Sequence, residues 1–563
     1  MNERIAAEAF LEALAAHGIK HLFANPGTDF APIVEAFARA AKSNRPVPKP
    51  MVIPHENAAV GIAHGYTAVT GEPQAVMLHT NVGTANAINM LINASRDRIP
   101  MLLTSGRTPF TEHGAEGARN VHIHWAQEMF DQAGMLREMV KWDYEMKRGD
   151  QAATTVDRAL EIACASPQGP VYLSLPREVL GEVLSHQPDS NHDRRARPAP
   201  PGPRLQDVEH LADWIAAARN PLVITGMLGK NPSESTVLAR LAEAWALPVI
   251  PYNTRYFALG AEHPMFQGSA PGPLLKEADL VIVFDTDVPW LPSKESPSAE
   301  ARIVQIGEDP LHSRLPMRSF PSDLTITATC LSVLEALETA LAQRSTQHVA
   351  ARADRLRERS RALHAGWRQE AEAAGQAEAI TLPWLNACLR SVIDSDTKVI
   401  SEYSFRQEYC PLRTPGSLFA LSAAGGLGWG FPAALGVKLA SPESLVVAVL
   451  GDGAYMFANP TACHYTAQMQ SLPVLTVIYN NATYGAVRRA TLDMYARGAA
   501  AEADGRYLAD LPAPAFEKIV AAHDGHGERV ERPADLPAAL QRAAAAVRAG
   551  RQALVNVVCA MPA

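Results

Sequence analysis

Short apolar, β-branched runs alternate with long helical patterns along the whole chain, which confines it to parallel sheets covered by helices. In the first third the predicted strands are Lys20–Ala24, Met51–Pro54, Ala75–His79, Met101–Ser105 and Val171–Leu175, the last fed by a turn at Pro167–Pro170. Asp189–Pro203 is polar, rich in Arg and Pro and without period, and is expected to be a linker. A second set follows at Pro221–Gly226, Leu247–Pro251, Ala278–Asp285, Ile303–Gly307 and Leu324–Ala328. Gln347–Gln376, with much Arg, Glu and Ala and few large apolar residues, reads as a solvated helix bridging domains. The third set holds Lys398–Glu402, Leu445–Leu450, Leu472–Tyr479 and Ala553–Val558. The expected fold class is α/β, with three consecutive doubly wound parallel-sheet domains near residues 1–188, 204–345 and 377–563, the first and third sharing one rhythm. A chain of 563 residues is too long for one core and suits this number.

Composition narrows the function classes. A net charge of -8 leaves no basic stripe for nucleic acid. No stretch approaches the ~18 uninterrupted apolar residues of a membrane span. The N-terminal Met1–Phe10 carries two acids and reads as an amphipathic helix, not a signal peptide. Six cysteines are scattered without a CxxC pair, which argues against a zinc ribbon or a disulfide scaffold and makes the reduced cytoplasm the expected compartment.

The strongest local signal is Leu445–Tyr455, an apolar strand that ends in Gly451-Asp452-Gly453. Ligands of open α/β sheets bind at such carboxyl ends, where glycines let backbone approach a phosphate and Asp452 offers Mg²⁺ a hard oxygen. The next strand ends in Asn480-Asn481-Ala482-Thr483-Tyr484-Gly485, again rich in oxygen ligands. Either half alone would be a turn or a helix cap; two on successive strands point to a metal and phosphate site. A dinucleotide site is the rival, but in Gly425-Gly426-Leu427-Gly428-Trp429-Gly430-Phe431 the residue Phe431 stands where the third glycine of G-x-G-x-x-G belongs.

Here the chain resembles the thiamine-diphosphate enzymes of the benzoylformate decarboxylase, pyruvate decarboxylase and acetolactate synthase group, whose motif is GDG, a spacer of somewhat under thirty residues, and NN. The resemblance covers essentially the whole chain and implies that Asp452, Asn481 and the Thr483 carbonyl hold Mg²⁺ on the cofactor diphosphate. It extends the cofactor contacts to Gly453, Ala454, Tyr484 and Gly485, and to Ser404 after the strand Lys398–Glu402, although Tyr403 replaces a small residue common in the decarboxylases. It also asks for an activating glutamate in the first domain, and Val52-Ile53-Pro54-His55-Glu56-Asn57 supplies Glu56 at the start of a small-residue helix. Such a glutamate hydrogen-bonds the aminopyrimidine ring; alone it would pass for a partner of the helix dipole. Gly425 matches the backbone that meets that ring, and Leu427 the aliphatic residue that props the cofactor into a bent shape. Relatives place the cofactor between subunits, so a homodimer or homotetramer is expected.

At the reacting centre the resemblance divides. Leu78-His79-Thr80-Asn81 resembles benzoylformate decarboxylase, in which a histidine at this position transfers protons, and Asn25-Pro26-Gly27-Thr28 resembles its loop, with Pro26 and Gly27 near cofactor and Thr28 offering a hydroxyl to substrate. The second catalytic histidine of that enzyme has no counterpart before His312, and Asp285–Trp290 replaces the flavin-contacting segment of acetolactate synthases, so no FAD is expected. His124-Trp125-Ala126-Gln127-Glu128 instead resembles the Phe-Gln-Glu segment of the carboligases, in which a glutamine, here Gln127, nears the reaction. Val487 and Arg488 open a helix that borders the pocket in relatives; Arg488 and Arg489 are adjacent and cannot both face inward. His113, His122 and His124 are given no ligand role. The expected function is a thiamine-diphosphate- and Mg²⁺-dependent decarboxylase or carboligase acting on a 2-oxo acid, with an aldehyde as possible acceptor. The alternatives are a flavin-independent acetolactate synthase-like carboligase, a 2-hydroxyacyl-CoA lyase or, remotely, a noncatalytic subunit.

Overall fold

The computed structural model describes residues 4–185, 198–345, 348–512 and 514–560. Met1–Glu3, residues 189–197 of the expected linker and Gln347 lie outside the described residues. By compactness the chain divides into two units, one of residues 1–199, 422–442 and 456–472, the other of 200–421, 443–455 and 473–563.

The first unit carries a sheet of β1 (His21–Asn25), β2 (Lys49–Val52), β3 (Gln74–Leu78), β4 (Met101–Arg107), β5 (Asp143–Glu145) and β6 (Pro170–Pro176). Its order is β2-β1-β3-β4-β6-β5 and every pairing is parallel. β3 and β6 are buried along their whole length, which is why they read as largely apolar runs, broken by Gln74 and Ser174 alone. Because β1 leads outward to β2 while β3 lies on its other side, the strand order reverses between β1 and β3, and there the carboxyl ends open a crevice. Helix Glu56–Thr70 packs on helix Gly430–Ala440, and glycines let the two backbones touch. A Cβ added to Gly65 would stand 2.1 Å from the Ala433 carbonyl oxygen, and one added to Gly436 would stand 2.0 Å from that of Ile62.

The second unit holds two parallel sheets. The middle one comprises β7 (Pro221–Thr225), β8 (Val249–Pro251), β9 (Leu280–Phe284), β10 (Arg302–Gly307) and β11 (Leu324–Thr327), ordered β11-β10-β9-β7-β8. The last comprises β12 (Lys398–Glu402), β13 (Leu418–Ala420), β14 (Val446–Gly451), β15 (Leu475–Asn480), β16 (His526–Val530) and β17 (Ala553–Val558). Its order, β13-β12-β14-β15-β17-β16, repeats that of the first sheet strand for strand, so the shared rhythm of the sequence is a shared topology. Its switch point lies between β12 and β14.

All fourteen predicted strands are present, with ends shifted by a few residues. β15 starts at Leu475, beyond Pro473, which has no N–H for the ladder. The three strands without a sequence prediction, β5, β13 and β16, are short or polar. The expected bridging helix is Val349–Gly375, and it is not solvated all round. Arg352 is buried and donates to the carbonyls of Ala218, Trp245 and Ala246 at 2.7, 2.7 and 3.0 Å, closing the ends of helices Leu205–Ala217 and Pro232–Trp245. The Asp285–Trp290 segment is likewise built into the middle sheet's edge: Asp287 accepts from Arg255 at 2.7 Å and Trp290 packs edge-on against Phe320. Among the described residues no helix is long and apolar enough to cross a membrane.

Candidate active site

In the first unit the predicted residues gather at the carboxyl edge of the sheet. Glu56 opens its helix behind His55, whose ring nitrogen accepts the Asn57 N–H at 3.2 Å. The Glu56 carboxylate is 9% exposed, and its Oε2 accepts from Asn86 at 3.1 Å. Asn86 belongs to helix Thr80–Arg96, and Asn89 and Asn93 follow it on the same face at helical spacing. Asn89 donates to the Leu427 carbonyl at 3.0 Å, while Asn93 donates to the Gly426 carbonyl at 2.7 Å and accepts its N–H at 3.0 Å. One asparagine ladder thus fixes both Glu56 and the Gly425–Leu427 loop. Leu427 is half-buried, not a core residue, and Gly425 takes a left-handed φ of 67°. A cavity of about 510 Å³ opens beside them between His55, Asn57, Asn86, Asn89, Phe457 and Asn459.

His79 follows β3 directly, at the switch point. Its Nδ1 lies 2.5 Å from Asp29 Oδ1, and its Nε2 lies 3.4 Å from Gln127 Nε2. The hydrogen bond to Asp29 pushes the imidazole pKa up, against its partial burial, and the Glu56 charge adds to the rise. Thr28 and Pro26 are exposed at the rim, with Gly27 half-buried between them. A Cβ at Gly27 would fall 2.1 Å from His79 Nδ1, so only glycine lets that loop cross the ring. His124 is buried with a ring nitrogen accepting the Asn120 N–H at 3.3 Å.

In the second unit β14 and β15 run side by side, with Gly451 opposite Tyr479, and bring both motif halves together. Asp452 is 5% exposed; Oδ1 accepts the Gly453 N–H at 2.7 Å, while the buried Oδ2 has no hydrogen-bond partner. Burial raises its pKa, opposed by the N–H groups of Gly453, Ala482, Thr483 and Asn481, which face the carboxylate. An orphaned hard oxygen beside the Asn481 amide and the Thr483 backbone suits an ion that takes one carboxylate and otherwise neutral oxygens. Among the described residues no group of three or more His, Cys, Asp or Glu could hold a metal. The Asn481 side-chain oxygen accepts the Thr483 N–H at 3.3 Å, and Thr483 Oγ1 donates to the Ala509 carbonyl at 3.1 Å. Ala454 is buried, and a Cβ added to Gly453 would stand 2.8 Å from the Tyr484 ring. Ser404 is buried beyond Tyr403, which is exposed and has a φ of 76°. Helix Gly485–Met494 buries none of its residues, and Val487 is exposed on it. Arg488 is not a free fork: Nε donates to the Asp504 carbonyl at 2.9 Å and Nη2 pairs with the Asp504 carboxylate, while Arg489 points into solvent.

Three family models match the chain: the thiamine pyrophosphate enzyme N-terminal TPP binding domain over residues 4–135, the central domain over 208–337 and the C-terminal TPP binding domain over 401–557. The chain belongs to the thiamine pyrophosphate enzyme family. It is a thiamine-diphosphate-dependent enzyme of the lyase and transferase kind that works on carbon–carbon bonds beside a carbonyl. It is 28% identical over 523 residues to benzoylformate decarboxylase of Pseudomonas aeruginosa, covering 85% of this chain and 86% of that one. To the acetolactate synthase isozyme 3 large subunit of Escherichia coli it is 26% identical over 571 residues, covering 98% and 94%. Its fold is that of the Rhodococcus jostii thiamine diphosphate-dependent 4-hydroxybenzoylformate decarboxylase, with a TM-score of 0.80, 22% identity and coverage of 99% and 100%.

Asp29, Asn86, Asn89 and Asn93 were not singled out by the sequence reading. The asparagines had a signal, polar positions at helical spacing within Asn86-Ala-Ile-Asn89-Met-Leu-Ile-Asn93. Asp29 had none: an acid in a loop after Gly-Thr reads as turn chemistry.

Proposed function

We propose that this thiamine enzyme is a Mg²⁺-dependent 2-oxo-acid decarboxylase, benzoylformate-decarboxylase-like, that also joins its acyl product to an aldehyde. The observation that carries the reading is His79 at the first switch point, its imidazole held by Asp29 and its pKa raised, because decarboxylation to an aldehyde needs a proton delivered at that edge. When bound, thiamine diphosphate supplies a nucleophilic carbon and an electron sink. Asp452 Oδ2, the Asn481 side-chain oxygen and the Thr483 carbonyl would hold Mg²⁺ on the diphosphate. Gly453, Ala454, Tyr484, Gly485 and Ser404 would surround the phosphates. Glu56, Gly425, Leu427, Pro26 and Gly27 would meet the ring end, with the Glu56 carboxylate as a hydrogen-bond partner of the ring. Thr28 and Val487 would border the substrate; Arg488 would reach a substrate carboxylate by exchanging Asp504 for it. Domains at 1–188, 204–345 and 377–563, a homodimer or homotetramer with sites at the subunit interface, and a cytoplasmic setting complete the reading.

A second reading, an acetolactate synthase-like carboligase without flavin or a 2-hydroxyacyl-CoA lyase, is favoured by Gln127, which reaches His79 from a carboligase-like segment. Incubation with thiamine diphosphate, Mg²⁺ and a panel of 2-oxo acids, with and without acceptor aldehydes and acyl-CoAs, separates the two. CO₂ with free aldehyde, and acyloin once an acceptor is supplied, supports the first. Acetolactate from pyruvate without free aldehyde, or cleavage of an acyl-CoA, supports the second. No CO₂ from any 2-oxo acid refutes the decarboxylase.

A further inference from the structure

Asp29 and His79 come from loops that follow β1 and β3, the two strands flanking the first switch point. The carboxylate is 3% exposed and makes two contacts there: Oδ1 to His79 Nδ1 at 2.5 Å and Oδ2 to the Thr80 N–H at 3.4 Å. Thr80 is β-branched yet has a φ of 37°, a region such residues avoid, so the strand-to-helix turn carrying His79 is strained and the carboxylate helps to hold it. Two glycines shape the niche. A Cβ at Gly106 would lie 1.7 Å from Asp29 Oδ2, and one at Gly27 2.1 Å from His79 Nδ1. The carboxylate and ring are therefore seated from both sides by backbone that leaves no room for a side chain.

We propose that Asp29 is a positioning residue for His79: by accepting the hydrogen bond of Nδ1–H it fixes the tautomer and plane of the imidazole, so that Nε2 is the nitrogen that exchanges a proton with the reacting carbon. The proposal rests on the reading of His79 given above. When the ring is neutral, Nδ1–H stays on Asp29 and Nε2 is an acceptor, matched by the Gln127 amide N–H facing it at 3.4 Å. When Nε2 is protonated, that contact sets donor against donor. The buried Gln127 Oε1, which has no hydrogen-bond partner, provides the remedy: half a turn of the amide places it opposite Nε2. The Asp29–His79–Gln127 row is thus satisfied in both protonation states without movement of the backbone. The other charges are arranged consistently. Glu56 faces the ring from its helix and favours the cation; Arg177 and His124 face Asp29 rather than His79.

Deuterium uptake at the imidazole C2 carbon of His79, followed across pH by mass spectrometry of its peptide, reads its titration in the full-length protein without substrate. The wild-type midpoint should lie above the ordinary ~6.5, and Asp29→Asn should bring it down, with Asp29→Glu recovering part of the shift. In the same variants, release of free aldehyde should fall on the order of 10²-fold for Asn, while CO₂ released in a single turnover stays within about threefold of wild type. A wild-type midpoint at or below ~6.5, or one that Asp29→Asn leaves in place, overturns the assignment whatever the activities do. A lowered midpoint with unchanged aldehyde release shows instead that His79 is not the donor, and the positioning role falls with it.

Discussion

Replacing Gly65 with alanine tests how closely helices Glu56–Thr70 and Gly430–Ala440 must approach. Alanine in a helix interior is worth about 1 kcal/mol over glycine, so propensity alone predicts stabilisation. The geometry opposes it. The new Cβ would stand 2.1 Å from the Ala433 carbonyl oxygen, 2.7 Å from its carbon and 2.8 Å from its Cα, all backbone. Normal contact needs ~3.5 Å, so the helices must part by more than an ångström, and Gly61 against Pro432 and Gly436 against Ile62 lose their close packing together. Overpacking of this kind costs about 1–3 kcal/mol, and backbone that cannot rotate away puts the cost at the upper end; net destabilisation is about 1–2 kcal/mol. Gly366→Ala is the control, since it lies exposed within helix Val349–Gly375 with nothing within 4 Å of the new Cβ, and should gain ~0.5–1 kcal/mol. Urea midpoints compared variant by variant decide the matter without assuming a single transition. Because Glu56 begins one helix and Leu427 precedes the other, Gly65→Ala should also weaken thiamine diphosphate binding, whereas Gly366→Ala should not. If Gly65→Ala stabilises as Gly366→Ala does, the close approach of the helices is wrong.

Glu56→Gln keeps a hydrogen bond to Asn86 but removes the carboxylate that would pair with the cofactor ring; cofactor should still bind while turnover falls on the order of 10²-fold, and near wild-type turnover would remove Glu56 from the mechanism. Asp452→Ala removes the one carboxylate of the proposed Mg²⁺ site, so equilibrium dialysis should show thiamine diphosphate affinity collapse with an unchanged circular dichroism spectrum; full cofactor in the purified variant contradicts the assignment. For His79 the folded pKa is raised, so its stabilisation is complete below the unfolded value near ~6.5 and fades as pH rises through the folded one. The gap in urea midpoint between wild type and His79→Gln should be widest at acid pH and close toward alkaline pH; a gap that widens with pH refutes the pairing with Asp29.

What the sequence revealed follows from what periodicity can carry. Fully buried parallel strands such as β9 (Leu-Val-Ile-Val-Phe) and β14 announce themselves as apolar runs, so the three-sheet α/β fold was legible. β16, His-Gly-Glu-Arg-Val, lies on a sheet edge and satisfies only one neighbour, so its composition resembles a loop. Asp452 and Asn481 were legible because each follows such a strand directly, and parallel pairing brings adjacent strand ends together. The pairing of Arg488 with Asp504 was not legible, because an arginine fork is equally suited to a substrate carboxylate, and only the path of the chain after helix Gly485–Met494 brings Asp504 to it. The same limit hid Asp29. It lies fifty positions from His79, and what joins them is strand order: β1 and β3 become neighbours because β2 is placed on the far side of β1. A crossover of that kind leaves no trace in the residues it brings together except the glycines that make room for them. Gly106 reads as a strand glycine, and Gly27 as part of a cofactor loop, until the carboxylate and the imidazole are seen against them; under the role proposed for His79, that juxtaposition would make the carboxyl edge between β1 and β3, not the motif loop alone, the place where the reaction's proton is handled.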